Sequence, residues 1–396
     1  MHDRNGNQHN CRVHCEADMY ILALEAYDGG SHGQFLDGLI QHSRHRFSRL
    51  SLPARKWKWR MRGAAITFAE KLGADWTAGQ TQAADASDET PQLILTSDMT
   101  SVADLRALLP DPLRKLPVVC YFHENQLTYP VPDESQRDYQ YAFTNITSCL
   151  AADVLWFNSQ YHLDSFAQAV ELLLRRMPDF VPEGVSQAIR QKAMVMPIGL
   201  DDRLFHSQHV PSPAPTQPYS ILWNHRWEYD KDPDTFFEVL FDLQRSGVDF
   251  RLLLAGESFR QAPPIFTAAQ KILADRIDHL GFAPTRQAYC ELLSRADIVV
   301  STAIHEFYGL SVREGIAAGA CPLLPNRLTY PELIEPELRE RYLYDTRRDL
   351  RHKLTAMLQQ PLPQLACSLR HTVAELAWPQ LIDRYDAAFE TIAPTG

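Results

Sequence analysis

The chain has 396 residues, a net charge of −10 at neutral pH, 45% hydrophobic and 22% charged residues. That is more than one core usually fills, so two domains of a globular protein are expected. With no apolar run long enough to cross a bilayer and no basic-then-apolar leader, neither a membrane span nor a signal is expected. The acidic balance excludes whole-surface attraction to nucleic acid. Seven scattered cysteines without framework spacing suit free thiols in a reducing cytoplasm.

Residues 1–18 are polar and irregular and read as a disordered extension, with Met19 a candidate start. Cys11, His14 and Cys15 there lack a second ligand pair at finger-like spacing, so no metal is expected. From Met19 the pattern becomes strand, loop, helix, repeated. Tyr20–Leu24 is an apolar strand that runs into a glycine loop ending at Gly33, with a helix around Gln34–Gln41. Further strands are expected at Phe47–Leu50, Gln92–Thr96, Val118–Phe122, Val154–Asn158 and Ala193–Met196, with helical patterns such as Ala103–Leu109 and Tyr161–Leu174 between them. Strands alternating with helices argue a parallel sheet, giving an α/β, Rossmann-like first domain over residues 19–205. Residues 206–218 are proline-rich and read as a linker. The alternation restarts over 219–375, with strands at Tyr219–Trp223, Phe250–Leu254, Ile277–Leu280, Ile298–Ser301 and Cys321–Leu324. An amphipathic pattern over Trp378–Thr391 makes 376–396 a closing helix. The expected architecture is two Rossmann-like domains whose parallel sheets face a central cleft.

Four stretches carry the chemistry. Gly29 and Gly30, followed by Ser31, let a ligand approach the backbone closely, although the spacing is not the dinucleotide fingerprint and an ordinary tight turn fits equally. Trp223 to Pro233 closes a strand and opens a helix, with Asp232 and Pro233 as N-cap and first helical residue. Arg226 and Lys231 thus stand at a strand's carboxyl end, where open α/β sheets bind ligands, and can stabilise a diphosphate leaving group without a metal. In His305–Glu314 a strand gives way to a loop and then a helix beginning near Leu310. Its N-terminus offers free amides to phosphate, and Glu306 and Glu314 flank that seat. A nucleotide-sugar fits such a seat, whereas a Glu in a first helical turn can also merely complement the dipole. Finally, His123, Glu124, Asn125, Gln126 and Tyr129 cluster at the end of an apolar strand, where so many polar groups need water or a ligand.

The pair Glu306 and Glu314 with Phe307, Gly309 and Leu310 between them, preceded by Arg226 and Lys231, resembles the family 4 retaining glycosyltransferases of the GT-B fold. The resemblance implies that Glu306 contacts the donor sugar, Glu314 the ribose, Arg226 and Lys231 the diphosphate, and that His123 lies by the sugar. One departure is that the usual Lys-Gly is Lys231-Asp232 here, which puts a backbone contact in doubt. Three strings, Leu24 to Gln34, Leu52 to Gly63 and Phe122 to Pro130, are similar to one subgroup, the tRNA-queuosine α-mannosyltransferases. What that implies is a cytoplasmic, metal-independent enzyme moving mannose from GDP-mannose to the cyclopentenediol of queuosine in a tRNA anticodon, that of tRNA-Asp.

An RNA acceptor has partial support in the residues themselves. From Gly38 to Ala69 there is no Asp or Glu, while Arg55, Lys56, Lys58, Arg60 and Arg62 surround Trp57 and Trp59. The tryptophans read equally as stacking faces for unpaired bases or as the core side of a surface helix. Two other functions share the motifs: a retaining transferase acting on a glycan, lipid or small molecule, and a non-catalytic nucleotide-sugar or tRNA-binding module.

Overall fold

A computed structural model describes residues 18–77, 90–131, 137–206, 218–256, 263–362 and 366–392. The expected N-terminal extension, except Asp18, and most of the proline-rich linker lie outside the described residues. Among the described residues twelve strands are found: β1 Tyr20–Asp28, β2 Arg46–Pro53, β3 Leu93–Ser97, β4 Val118–Phe122, β5 Val154–Phe157, β6 Ala193–Val195, β7 Ser220–Trp223, β8 Arg251–Ala255, β9 Ile277–Gly281, β10 Ile298–Val300, β11 Cys321–Pro325 and β12 Leu343–Tyr344. Every strand expected from the sequence is present. β12, two residues long, is too short for any periodicity to reveal.

The first six strands form one sheet in the order β2-β1-β3-β4-β5-β6 and the last six another in the order β12-β11-β10-β7-β8-β9, all pairs parallel. Parallel strands buried on both faces must be apolar on both, and alternation divides them between two cores. Val118, Cys120 and Phe122 of β4 face one side of the first sheet, Val119 and Tyr121 the other. In β7, Ile221 and Trp223 face one core and Leu222 the opposite one. The strand order reverses between β1 and β3 in the first sheet, and between β7 and β10 in the second. Ligands of open α/β sheets settle at such reversals, beyond the carboxyl ends of the strands. The stretches after β1, β7 and β10 singled out above leave from those edges, and the His123 cluster follows β4, the next strand beside β3.

The closing helix Trp378–Ile392 crosses back to pack on the first sheet, burying Trp378, Leu381, Ile382, Tyr385, Ala388 and Phe389 at helical spacing. The crossing is fixed where Leu200 N–H donates to Leu376 O at 2.7 Å and Trp378 N–H to Leu200 O at 3.0 Å. The Trp378 ring fills space that only glycine leaves: a Cβ on Gly38 or Gly199 would lie 1.9 or 2.2 Å from it. One helix begins earlier than expected, at Gly30 rather than near Gln34, and runs to His42. Another, Trp57–Thr77, carries the basic stretch.

Candidate active site

The turn after β7 builds the cationic half of the cleft. Asp232 caps the helix Pro233–Arg245 as expected, its side chain accepting from Thr235 N–H at 3.2 Å. It does so at φ +47, in the left-handed region that suits glycine better than Asp. Thr302 Oγ1 reaches the carbonyl oxygens of Lys231 at 2.8 Å and Asp232 at 2.9 Å, holding the turn against the end of β10. Because Asp232 N–H donates to Tyr229 O at 3.0 Å, this amide is already used within the turn.

Lys231 is buried. Its ammonium lies 2.9 Å from His305 O, 3.1 Å from Asp230 Oδ2 and 3.2 Å from Glu306 Oε2. Burial alone would lower its pKa, but Glu306 and Asp230 outweigh that and raise it, so the amine stays charged. Burial would likewise raise the Glu306 carboxyl; Lys231, His225 and the Gly309 N–H instead hold it at about 2. His225 and His305 are pushed down to about 4, by burial and then by Lys231, and are neutral at physiological pH. Arg226, half exposed, donates to Tyr129 Oη at 3.2 Å and lies 3.5 Å from Glu228 and 3.9 Å from Asp230. Arg226, Lys231 and Glu306 therefore belong to one charge network centred on Asp230.

Ser101, Asp138, Ser159, Asp232, Thr285 and Thr346 each cap a helix with a side-chain oxygen. The two helices that open at the strand-order reversals, Gly30–His42 and Leu310–Ala317, start instead at Gly29 and Gly309 without a side-chain cap. Their first amides are left for something else. Gly309 has φ +75 and Gly30 φ +55, while a Cβ on Gly29 would fall 2.5 Å from that of Ala54. Glu314 is buried one turn inside the second helix. It accepts from Gln34 Nε2 at 2.8 Å, Arg286 Nη1 at 2.8 Å and Tyr289 Oη at 2.9 Å. Gln34 belongs to the other lobe, so this carboxylate ties the two glycine-started helices together.

The first lobe contributes a different kind of cluster. Glu25, between Leu24 and Ala26 in β1, accepts from Tyr27 N–H at 2.7 Å and Ser97 Oγ at 2.9 Å, and pairs with His32 Nδ1 at 3.2 Å. Burial would discharge His32, but Glu25, Asp98 and Glu124 raise its pKa to about 9. His123 stacks on His32 with ring centroids 3.9 Å apart; neither of its ring nitrogens has a partner among the described residues. Burial, then the neighbouring His32, keeps it neutral. Asp98 accepts from His123 N–H at 2.8 Å and leaves its other oxygen unpaired; burial raises both it and Glu124. Glu25, His32 and His123 place ligand atoms within 4.8 Å of one another. Stacked rings, however, send their in-plane lone pairs past each other, and Glu25 Oε1 already accepts three bonds. The trio suits a buried ion pair better than a metal.

Several expectations are corrected by packing. Phe307, expected against the donor, stacks on His162 at 4.0 Å while its carbonyl accepts from Ser159 Oγ at 2.5 Å, so it joins the lobes instead. Leu310 is likewise packed between two cores. Asn125, expected to face the acceptor, is fully buried and bonds Leu127 N–H and Thr128 N–H, shaping its own loop. Gln126 donates to Glu124 at 2.9 Å, leaving Glu124 and Tyr129 as the residues of that loop nearest the cationic network. The two tryptophans divide: Trp57 packs on Tyr141 at 5.1 Å, whereas Trp59 is 60% exposed, lying over Gly63, whose Cβ would fall 2.7 Å from its ring. Lys58 and Arg62 stand over Tyr141 at 5.9 and 5.1 Å, and Arg60 donates to Pro53 O at 3.1 Å. None of Arg55, Lys56, Lys58, Arg60 and Arg62 has an acidic partner among the described residues.

Sequence reasoning missed Asp230, Gln34, Arg286, Tyr289, His32 and Asp98. Two of them left a signal: Asp98 directly ends an apolar strand, and Asp230 stands between the two cations. Arg286 and Tyr289 come from a helix whose only signature is its Thr285 cap.

Comparison with known proteins follows these two halves. Residues 20–200 match the family described as tRNA-queuosine alpha-mannosyltransferase N-terminal, and residues 206–375 the family of glycosyl transferases group 1. The chain is 35% identical over 352 residues to the tRNA-queuosine alpha-mannosyltransferase of Drosophila melanogaster, covering 87% of this chain and 88% of that protein. A shorter stretch of 151 residues, 36% of this chain and 37% of the relative, is 30% identical to a GDP-mannose-dependent alpha-(1-6)-phosphatidylinositol dimannoside mannosyltransferase of Mycobacterium tuberculosis. Sucrose-phosphate synthase from Thermosynechococcus elongatus shares the fold with a TM-score of 0.67 at 18% identity, over 95% of this chain and 99% of that one. The two facing Rossmann-like lobes are thus the GT-B fold, and the chain belongs to the tRNA-queuosine alpha-mannosyltransferase family of glycosyltransferases.

Proposed function

We propose that the chain transfers mannose from GDP-mannose, with retention at the anomeric carbon and without a metal, to the cyclopentenediol of queuosine in a tRNA anticodon. The observation that carries this reading is the convergence of Arg226, Lys231 and Glu306 on one network, closed by Tyr129 from the opposite lobe. A diphosphate between them meets two cations and the uncapped amides after Gly309. As the bond from the anomeric carbon to the phosphate oxygen breaks, charge grows on that oxygen, and fixed cations stabilise it without reorganising. The acceptor hydroxyl oxygen bonds to the anomeric carbon from the same face, and its proton passes to a phosphate oxygen of the departing GDP. Glu306, ionised throughout, holds sugar hydroxyls, and neutral His123 accepts a hydrogen bond from the sugar without repelling the oxocarbenium-like centre.

The donor base and sugar draw on the family and on the GDP-mannose-dependent relative. The acceptor draws on the family and on the unneutralised cations beside the exposed Trp59. Among the described residues no helix is long and apolar enough to cross a membrane, consistent with a tRNA acceptor met in the cytoplasm. Incubation of purified chain with GDP-mannose and queuosine-containing tRNA, followed by nucleoside mass spectrometry, tests the reading. A hexose increment on queuosine is expected. Its absence with a donor that the protein demonstrably binds, or transfer undiminished by RNase treatment of the acceptor, would overturn the tRNA assignment.

A further inference from the structure

Resting on that reading, we infer that the RNA-binding surface extends past the 55–62 stretch onto the start of the helix Tyr139–Ala151 and the turn after Gln160–Leu174, where Tyr139 and Arg176 form its second wall. Arg176 ends the helical region after Gln160–Leu174, is exposed, and stands over the Tyr139 ring at 5.4 Å while donating to its hydroxyl at 3.0 Å. On the other side of the same helix start, Lys58 and Arg62 stand over Tyr141. Cations from both flanks are thus spread over the rings of one helical turn rather than paired with carboxylates.

Many exposed arginines elsewhere in this acidic chain find acids instead: Arg49 with Asp28 and Asp37, Arg106 with Asp153, Arg251 with Asp278, Arg347 with Glu238. Others, such as Arg327 and Arg339, are taken up by carbonyl oxygens. Arg175, next to Arg176, is held by Glu171 one turn back. No carboxylate among the described residues lies within ion-pair distance of Arg176. An uncompensated cation over an aromatic ring costs solvation only weakly and stays free to meet phosphate, whereas a paired one must first be released.

The helix that carries this surface is tied to the cleft. Arg137, just before this helix, donates to the carbonyls of Gln126, Leu127 and Tyr129 at 3.2, 3.0 and 2.9 Å, pinning the loop that carries Glu124 and Tyr129 to the helix start. An RNA whose modified base enters beside Tyr129 would therefore lay its flanking phosphates across Arg62 and Arg176, with Trp59 offering a stacking face beyond.

The test is tRNA affinity of the full chain against salt concentration, for wild type and for Arg176→Ala, Arg62→Ala and Arg175→Ala. Arg176→Ala is expected to weaken binding several-fold and to lower the slope of log affinity against log salt by about one, as loss of one phosphate contact requires. The KM for tRNA should rise in step, while Arg175→Ala changes little. Equal loss in the two arginine variants 175 and 176, or no loss in 176 while 62 weakens binding, overturns the inference and leaves the tRNA reading standing. Wild type that binds no tRNA overturns both. Capture of anionic vesicles that depends on Arg176, with tRNA binding indifferent to it, would replace the RNA with a lipid surface.

Discussion

Around Lys231 the buried charges are paired with opposite ones, whereas His123 is neutral and its ring nitrogens, like one Asp98 oxygen, have no hydrogen-bond partner among the described residues; in the second lobe Asp230 Oδ1 and the Nε2 atoms of His225 and His305 share that lack. The same structural position, the carboxyl edge of a parallel sheet at or beside a reversal of strand order, is finished in two ways. In the second lobe the cations are held by Asp230 and Glu306 before any ligand arrives, so a diphosphate finds them placed but must share them. That arrangement favours fixed geometry over raw affinity, which is where electrostatic catalysis gains most. In the first lobe, polar atoms left unbonded in a buried place destabilise the fold by about 1–3 kcal/mol each. A ligand hydroxyl or water that fills them recovers that energy, so this edge is tuned to recognise what enters.

If the comparison holds, Lys231→Ala should be the most damaging change, lowering turnover by roughly 10²–10³-fold as loss of a charge-stabilising group does elsewhere, with Glu306→Ala acting in the same direction. Circular dichroism on the same samples separates chemistry from unfolding. Near-normal rates in a folded variant would remove the catalytic role of the paired lobe. The tryptophans sharpen the contrast between core and surface within the first lobe. Trp57→Ala should cost about 3 kcal/mol in denaturant unfolding, while Trp59→Ala should cost under about 0.5 kcal/mol in stability yet about 1–3 kcal/mol in RNA binding. Matching losses in both assays would mean that the two rings are not divided as described.

Melting temperature against pH distinguishes the lobes through opposite signs. His32 has a folded pKa of about 9 against 6.5 free, so its stabilisation is complete below 6.5 and fades as pH rises through 9. Glu306, at about 2 against 4.5, stabilises fully above 4.5 and loses this as pH falls through 2. Each amounts to at most about 3 kcal/mol. His32→Gln should flatten the alkaline limb alone; an unchanged limb would show that the Glu25–His32 pair carries no such charge. A modest effect is expected from Gly309→Ala, about 1–2 kcal/mol for a side chain at φ +75, read as a higher donor KM if the uncapped helix start binds phosphate.

Much of this was legible in the residues. Alternation of apolar strands with helices gave both sheets, and Asp232-Pro233 marked a helix start correctly, because capping and periodicity act over a few neighbours. Arg226, Lys231 and Glu306 could be picked out because charged groups immediately after an apolar strand have few bland explanations. Phe307 and Asn125 were misassigned for a related reason. A loop's own hydrogen bonds and its packing across the cleft are made with Ser159, His162 and Thr128, and nothing in the letters says that those partners will be close.

Sequence alone thus determined the strand and helix order, the charge types at each strand end and the acid-free basic stretch, all set by local periodicity and composition. Tertiary structure alone decided that Gln34 would hold Glu314, that Tyr129 would close on Arg226, and that Trp57 would be core while Trp59 stayed exposed. Those outcomes depend on which surfaces meet once residues some hundred to three hundred positions apart are packed, and on which charges lose their water when they do.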